Sequence, residues 1–338
     1  MRQLLLLLLL APALLSAQTP AYDLILRGGR IVDGTASPWY TADLAIKGDT
    51  IVRIAPSIAE SAARVVDVKG LVVAPGFIDI HTHAQRGIFE VPTADNYVRQ
   101  GVTTLIEGPD GGSPIPLAPF LAKVEATRIT PNFAMFIGQG SIRSEVMGAV
   151  DRPATRAELD TMRALVTQGM EDGAFGLSSG LFYVPGAFTP TEEVIELARV
   201  AGRMGGIYIS HMRDEAKGLT DSVRETIAIG EKGGLATQIT HHKVVGKKYW
   251  GGSIQTLRMV DEARARGVDA TIERAGLKAD IAVFDASTIR DTAPFEKPHS
   301  YAEGVSLVIV NGQVAFEGGQ MTSARPGRVL HGPAHRQK

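Results

Sequence analysis

The sequence predicts an α/β protein, an incomplete TIM-like (β/α) barrel joined to a small β-sandwich built from both chain ends. Three observations predict it. Short apolar strands separated by Gly and Asp turns crowd residues 22–72 and 276–325. Over residues 73–275 the rhythm changes to strand followed by helix, the pattern of a parallel sheet. Within that stretch His81, His83, His211 and His241 stand at the ends of three strands, where barrels of this kind keep their sites.

The elements follow in chain order. Arg2, an apolar run over 4–15 and the small residues Ser16 and Ala17 have the layout of a secretory signal peptide, too short to span a bilayer comfortably. Residues 1–17 are therefore expected to direct export to the periplasm or medium and to be removed, leaving no membrane segment; the alternative reading of the strongly apolar run 4–10 is an uncleaved membrane anchor. The chain has no cysteine, so its stability outside the cell rests on packing and metal rather than on disulfides. Sandwich strands are expected at 23–26, 29–33, 43–46, 50–54 and 64–67, and again at 279–285 and 306–312. Asn311-Gly312 followed by residues 313–316 marks a hairpin, because both turn positions tolerate φ > 0.

Barrel strands are expected at 77–81, 102–107, 132–137, 174–177, 206–210 and 236–240, with helices at 156–172 and 191–204. Thr189-Pro190-Thr191-Glu192-Glu193 opens the second helix with a capping residue, a proline and early acids. Residues 267–272 begin a seventh strand that runs at once into 273–280, the entry to the sandwich. A complete barrel takes about 250 residues, more than residues 75–272 provide. The seventh strand is thus cut short and the eighth is absent, which leaves an unpaired edge.

Composition excludes other classes. A net charge of −1 with 21% charged residues lacks the basic face of a nucleic-acid binder. With 44% apolar residues and no long low-complexity tract, the chain is not disordered.

The chemistry concentrates in a few motifs. In Gly76-Phe77-Ile78-Asp79-Ile80-His81-Thr82-His83 the two histidines, at i and i+2, project from one face of a strand end. Neutral imidazole is a common zinc ligand, so the pair starts a metal site. Asp79 is placed to accept a ring N–H behind them. His211 and His241 end two later strands; each alone also fits a hydrogen-bonded core histidine, but four at neighbouring strand ends favour ligands. His242 alternates to the other face and is read as structural. Pro109-Asp110-Gly111-Gly112 has the composition of a turn, and Asp110 and Glu107 are rival carboxylates beside the second strand. Lys243 and Arg213 stand near the histidines as anchors for a substrate carboxylate, and Ser178–Leu181 as pocket wall. His299, His331 and His335 lie in C-terminal loop or tail and carry no expected role.

These residues resemble the amidohydrolase superfamily, in which Gly-Phe-(Ile/Val)-Asp-x-His-x-His ends the first strand of a metal-dependent hydrolase barrel. Tyr208-Ile209-Ser210-His211-Met212-Arg213, Thr240-His241-His242-Lys243 and Pro294-Phe295-Glu296-Lys297-Pro298-His299 look like motifs of its N-acyl-D-amino-acid deacylases, the D-aminoacylases. The likeness runs from about Tyr22 to Gly318. It implies a zinc site with one tightly bound ion on His211 and His241 and a second, weaker ion. It implies that Asp110, in Gly108-Pro109-Asp110-Gly111, stands where the family has a ligating cysteine; a carboxylate can replace a thiolate at similar reach. It also puts Lys243 at a carboxylate-binding position. The implied substrate is a small N-acyl-(D-)amino acid or peptide cleaved at its amide bond. Alternatives are a noncatalytic metal- or ligand-binding protein on the same scaffold and a cyclic-amide hydrolase.

One departure stands against these matches. The deacylases carry an aspartate on the eighth strand that orients the attacking water and takes its proton, and no position here corresponds to it. Glu273, in the junction, is the nearest substitute by sequence. Impaired turnover is therefore expected. A deletion, a completing partner chain or a loss of catalysis would each produce the gap, and the abrupt junction favours a deletion. The sequence does not fix the oligomeric state.

Overall fold

A computed structural model of the chain describes residues 19–272 and 280–336. The leader at 1–17 and Glu273 lie outside the described residues.

The N-terminal strands are β1 (Tyr22–Ile31), β2 (Tyr40–Lys47), β3 (Thr50–Ala55), β4 (Ala62–Asp67) and β5 (Val72–Pro75). The two short strands expected at 23–26 and 29–33 are one strand, β1, with a register shift between Leu26 and Gly29. A parallel array follows: β6 (Phe77–Thr82), β7 (Val102–Glu107), β8 (Asn132–Met135), β9 (Ile137–Gly138), β10 (Gly176–Gly180), β11 (Ile207–His211), β12 (Thr237–Ile239) and β13 (Ala270–Ile272). Helices α1 (Asp95–Val98), α2 (Ala118–Thr127), α3 (Gln139–Met147), α4 (Arg156–Asp172), α5 (Thr191–Arg203), α6 (Leu219–Gly233) and α7 (Ser253–Ala265) alternate with these strands. The C-terminal strands are β14 (Ile281–Phe284), β15 (Val305–Val310), β16 (Gln313–Glu317) and β17 (Gln320–Met321).

The array pairs in sequence order, β6-β7-β8 and β9-β10-β11-β12-β13, all parallel. The strand expected at 132–137 is split at Phe136. Its N–H donates to Glu107 O at 2.9 Å, while the Phe175 N–H donates to Met135 O at 2.9 Å, so the two sheets run on as one array. Among the described residues β13 pairs with β12 alone and β6 with β7 alone, so hydrogen bonds do not close the ring.

Helix placement follows from capping and apolar spacing. Thr155 and Glu158 form a capping box at the start of α4, satisfying two backbone donors reciprocally. Glu192 and Glu193 sit in the first turn of α5, where the helix dipole favours acids. Met162, Val166 and Met170 of α4 and Val194, Leu197, Ala198 and Ala201 of α5 are fully buried in the core between helices and strands. Each large side chain of this set contributes roughly 1.5–3 kcal/mol by leaving water. No helix among the described residues is long and apolar enough to cross a membrane.

The two chain ends share one nine-stranded sheet, in the order β17-β16-β15-β14-β5-β1-β2-β3, with β4 beside β1. Its core joins Leu24, Leu26 and Leu44 from one end to Ile281, Val283 and Ile309 from the other. The hairpin at Asn311-Gly312 has φ of 45° and 77°, the turn chemistry expected of that pair. Residues 326–336 then run under the starts of β8 and β10. There the Leu330 N–H donates to Phe133 O at 2.7 Å and the Gly332 N–H to Gly173 O at 2.9 Å. In this tail His331 and His335 stack with ring centroids 3.8 Å apart, while His299 is exposed.

Candidate metal centre

At the C-terminal ends of β6, β7, β11 and β12 the chain gathers His81, His83, Asp110, His211 and His241. Asp110 belongs to two groups whose ligand atoms all lie within 4.8 Å of one another, one with His81 and His83, the other with His211 and His241. Asp110 Oδ1 lies 3.4 Å from His211 Nδ1, 3.6 Å from His81 Nε2 and 3.7 Å from His241 Nε2, and Oδ2 lies 3.4 Å from His83 Nε2. His241 Nε2 and His211 Nδ1 are 2.8 Å apart.

Local structure explains the convergence. The loop after β7 lies across strand ends that have no side chain to obstruct it: a Cβ on Gly180 would sit 2.2 Å from Asp110 O, and one on Gly138 2.4 Å from Gly111 O. Gly111 N–H donates to Ser178 Oγ at 3.2 Å, and Ser141 N–H to Gly111 O at 3.0 Å. His241 follows the last residues of β12 at φ 34°, a left-handed conformation that is uncommon without glycine and tends to cluster at functional sites.

The electrostatics suit a cation. Asp110 Oδ1 is buried and accepts no hydrogen bond, an arrangement costly to leave unmatched. Burial works to raise the Asp110 carboxyl, but the imidazoles of His211, His241 and His81 outweigh it and hold the group far below the usual carboxylate range. Burial likewise opposes charge on His241, yet Asp110 and Glu215 push its ring up to about 9. Imidazole nitrogens with a shared carboxylate form a donor set that suits zinc. A cleft of about 850 Å³ opens beside the centre, lined among others by His83, Asp110, Ser113, Ser141, Tyr183 and Pro185.

Three expected roles are corrected. Glu107 is fully buried, its Oε1 accepts from the Thr82 hydroxyl and the Ala84 N–H while its Oε2 has no partner, and it belongs to neither group of converging ligand atoms, so it ties down the end of β6. Burial pushes its carboxyl up, only partly offset by Thr82 and Ala84. Asp79 Oδ1 accepts the backbone N–H of His81 at 3.1 Å, not a ring N–H, and His81 Nδ1 is left buried without a partner. Arg213 is not free for substrate. Its guanidinium meets Glu225 at 2.8 and 3.0 Å and donates to the carbonyls of Ala187 and Thr189 at 3.0 and 2.9 Å.

Lys243 reaches the site, with Nζ 2.9 Å from His241 Nδ1 and 2.7 Å from Glu215 Oε2. His242 turns away to Thr256 Oγ1 at 2.8 Å. Asp269 precedes β13, at the opposite end of the array from the histidines.

Two residues escaped the sequence. Glu215, on the loop after β11, lies 3.1 Å from His241 Nδ1 and 3.9 Å from His211 Nε2. Its signal was faint, an acid four residues after a strand-end histidine. Tyr183, after β10, brings its hydroxyl 3.3 Å from His211 Nδ1, and burial raises its pKa, with Asp110 adding to the shift.

Comparison with known proteins agrees with this geometry. The model of the amidohydrolase family matches residues 64–237, just over half of the chain. A D-aminoacylase of Alcaligenes xylosoxydans xylosoxydans is 38% identical over 297 residues, covering 79% of this chain and 61% of its own length. An N-acyl-D-glutamate deacylase from the same organism is 34% identical over 273 residues, covering 74% and 56%. The chain thus spans 56–61% of the length of these curated relatives. A solved D-aminoacylase, described for its binuclear metal centre, superposes with a TM-score of 0.86 at 25% identity, covering 92% of this chain and 100% of that one. On the fold, the strand-end histidines and these matches together, the chain belongs to the amidohydrolase family, and within it is similar to the D-aminoacylases.

Proposed function

We propose that the chain is a zinc-dependent hydrolase of the amide bond of small N-acyl-D-amino acids, with turnover held low by the missing eighth-strand aspartate. One observation carries the reading: Asp110 Oδ1, buried and without a hydrogen bond, ringed by three imidazole nitrogens at 3.4–3.7 Å. The similar proteins are a D-aminoacylase and deacylases of N-acyl-D-glutamate and N-acyl-D-aspartate, which points to the same bond and substrate class. His211, His241 and Asp110 hold the tighter ion, and His81, His83 and Asp110 the weaker. Exposure sets that order, since the His83 side chain is 56% exposed and that of His211 9%.

When bound, the ion polarises an amide carbonyl and acidifies water. The protein's own groups do the rest. Lys243, half-exposed beside His241, attracts the substrate carboxylate, and the cleft beside Asp110 receives the remainder of the substrate. Residues 73–275 act as the truncated barrel, 22–72 and 276–325 as the sandwich that braces it, and 1–17 as an export signal.

A noncatalytic metal-binding protein is the second reading, favoured by one feature. Asp110 and Glu215, the carboxylates at the centre, are both engaged with imidazoles, which leaves neither free as a base. Zinc content and turnover of the full chain on N-acetyl-D-amino acids, with and without chelator, decide between them. Chelator-sensitive turnover supports the enzyme. Bound zinc without turnover supports the binding protein, and absence of both overturns the metal centre.

A further inference from the structure

We infer that Glu215 is a positioning residue: a carboxylate set against the outer ring nitrogen of His241, so that the inner nitrogen of that ring faces Asp110 as a lone pair. The inference rests on the proposed metal centre and extends it beyond the ligands. The two rings use opposite atoms. His241 turns Nε2 inward, 3.7 Å from Asp110 Oδ1, and Nδ1 outward, 3.1 Å from Glu215 Oε1. His211 turns Nδ1 inward, 3.4 Å from the same Oδ1, and Nε2 outward, 3.9 Å from Glu215 Oε2 and beyond hydrogen-bond reach, so the carboxylate acts on His241. A neutral imidazole has one N–H and one lone pair, and a carboxylate only accepts. An acceptor on the outer side therefore keeps the proton there and leaves the inner nitrogen open to a cation.

A rival for the same atom makes the choice informative. Lys243 Nζ lies 2.9 Å from His241 Nδ1 and can only donate. Were it to claim that nitrogen, the ring proton would move to Nε2 and point at His211 and Asp110. Glu215 competes with that contact, binding Lys243 itself at 2.7 Å while lying 3.1 Å from the ring nitrogen, within reach of its proton. It is buried where Lys243 is half-exposed, and its loop is pinned on both sides. Asp214 accepts from the Ala216 and Gly218 N–H groups at 2.7 and 2.9 Å, and Glu215 O accepts from the Val245 N–H at 2.8 Å. The same geometry separates Glu215 from the missing base, because it addresses the outer side of the His241 ring.

The test is zinc affinity of the full chain by competition with a chromophoric chelator, for wild type, Glu215→Ala, Glu215→Gln and Lys243→Met. Glu215→Ala is expected to weaken zinc about 10–100-fold, the range for an outer partner of a ligating histidine. Glu215→Gln, which keeps a carbonyl acceptor and nearly the same shape, is expected to lose less and carries the test should the alanine variant not fold. Lys243→Met is expected to stay within about threefold of wild type, since the lysine is not the proton's acceptor. In proton–nitrogen spectra of the zinc-loaded chain, a protected Nδ1–H of His241 is expected in wild type and lost in Glu215→Ala. Unchanged affinity in both Glu215 variants overturns the inference, as does an equal loss in Lys243→Met, which would mean that Glu215 acts only through the lysine. Wild type without zinc uptake overturns the metal centre and this inference with it.

Discussion

At the scale of single residues, protons and cations compete for the same atoms. In the metal-free chain Asp110 and Glu215 push the His241 ring up to about 9, so near neutral pH that ring holds a proton that zinc must displace. Apparent zinc affinity is therefore expected to rise about tenfold per pH unit from pH 7 and to flatten above about 9, with close to one proton released. Chelator competition across that range checks it, and a flat profile would remove His241 from the ligand set. The sign for stability runs the other way. A ring whose folded pKa exceeds its unfolded value stabilises the metal-free fold fully below about 6.5, and that contribution is lost as pH rises through about 9. The convergence of the histidines was legible because strand alternation and strand ends give them a direction. Glu215, Tyr183 and Arg213 were not, since all three lie in loops whose path depends on tertiary packing. For Arg213 the sequence shows the charge but not Glu225, which takes it.

At the scale of elements, the centre depends on how closely loops approach strand ends. Gly180→Ala would put a Cβ 2.2 Å from Asp110 O, against backbone that cannot swing aside as a side chain can. It is expected to cost about 1–3 kcal/mol of stability as an overpacking change. It should also weaken zinc, because Asp110 moves with its loop; denaturation and chelator competition read the two effects. Arg213→Met isolates a different element. It frees the 187–189 segment and leaves Glu225 with the Thr191 hydroxyl but no cation, expected to cost about 1–3 kcal/mol, with zinc affinity unchanged and KM raised because neighbouring Tyr183 and Pro185 line the cleft. A fall in zinc affinity equal to that of Gly180→Ala would place Arg213 in the centre after all. The expected strand 102–107 matches β7, a short run rich in β-branched residues and mostly buried between its neighbours. The fourth strand, expected at 174–177, runs instead over Gly176–Gly180. Its Gly and Ser residues carry little strand propensity, and pairing with β11 imposes the conformation.

At the scale of the whole molecule, both chain ends must meet before the site is braced, because β14 lies between β15 and β5 in the sheet. A polar junction couples that sheet to the array. Asn132, opening β8, donates through Nδ2 to Asp280 Oδ2 at 2.8 Å, and its Oδ1 accepts from Asn311 Nδ2 at 2.7 Å and from the Arg328 N–H at 3.2 Å. One side chain thus touches the entry to β14, the β15–β16 turn and the C-terminal tail. The composite sheet was legible from strand rhythm at the two ends, but this junction was not, because an Asn at a strand start carries no mark of partners far away in sequence. Asn132→Ala is expected to cost about 1–3 kcal/mol, the range for buried donors and acceptors that lose a partner. It should also separate two events that coincide in wild type. Loss of zinc, reporting the array, should shift to lower urea than loss of strand signal from the sheet, while the two remain superposed in the wild-type chain. Superposed transitions in the variant would mean that the apolar contact between sheet and array, rather than the Asn132 junction, makes the molecule unfold as one.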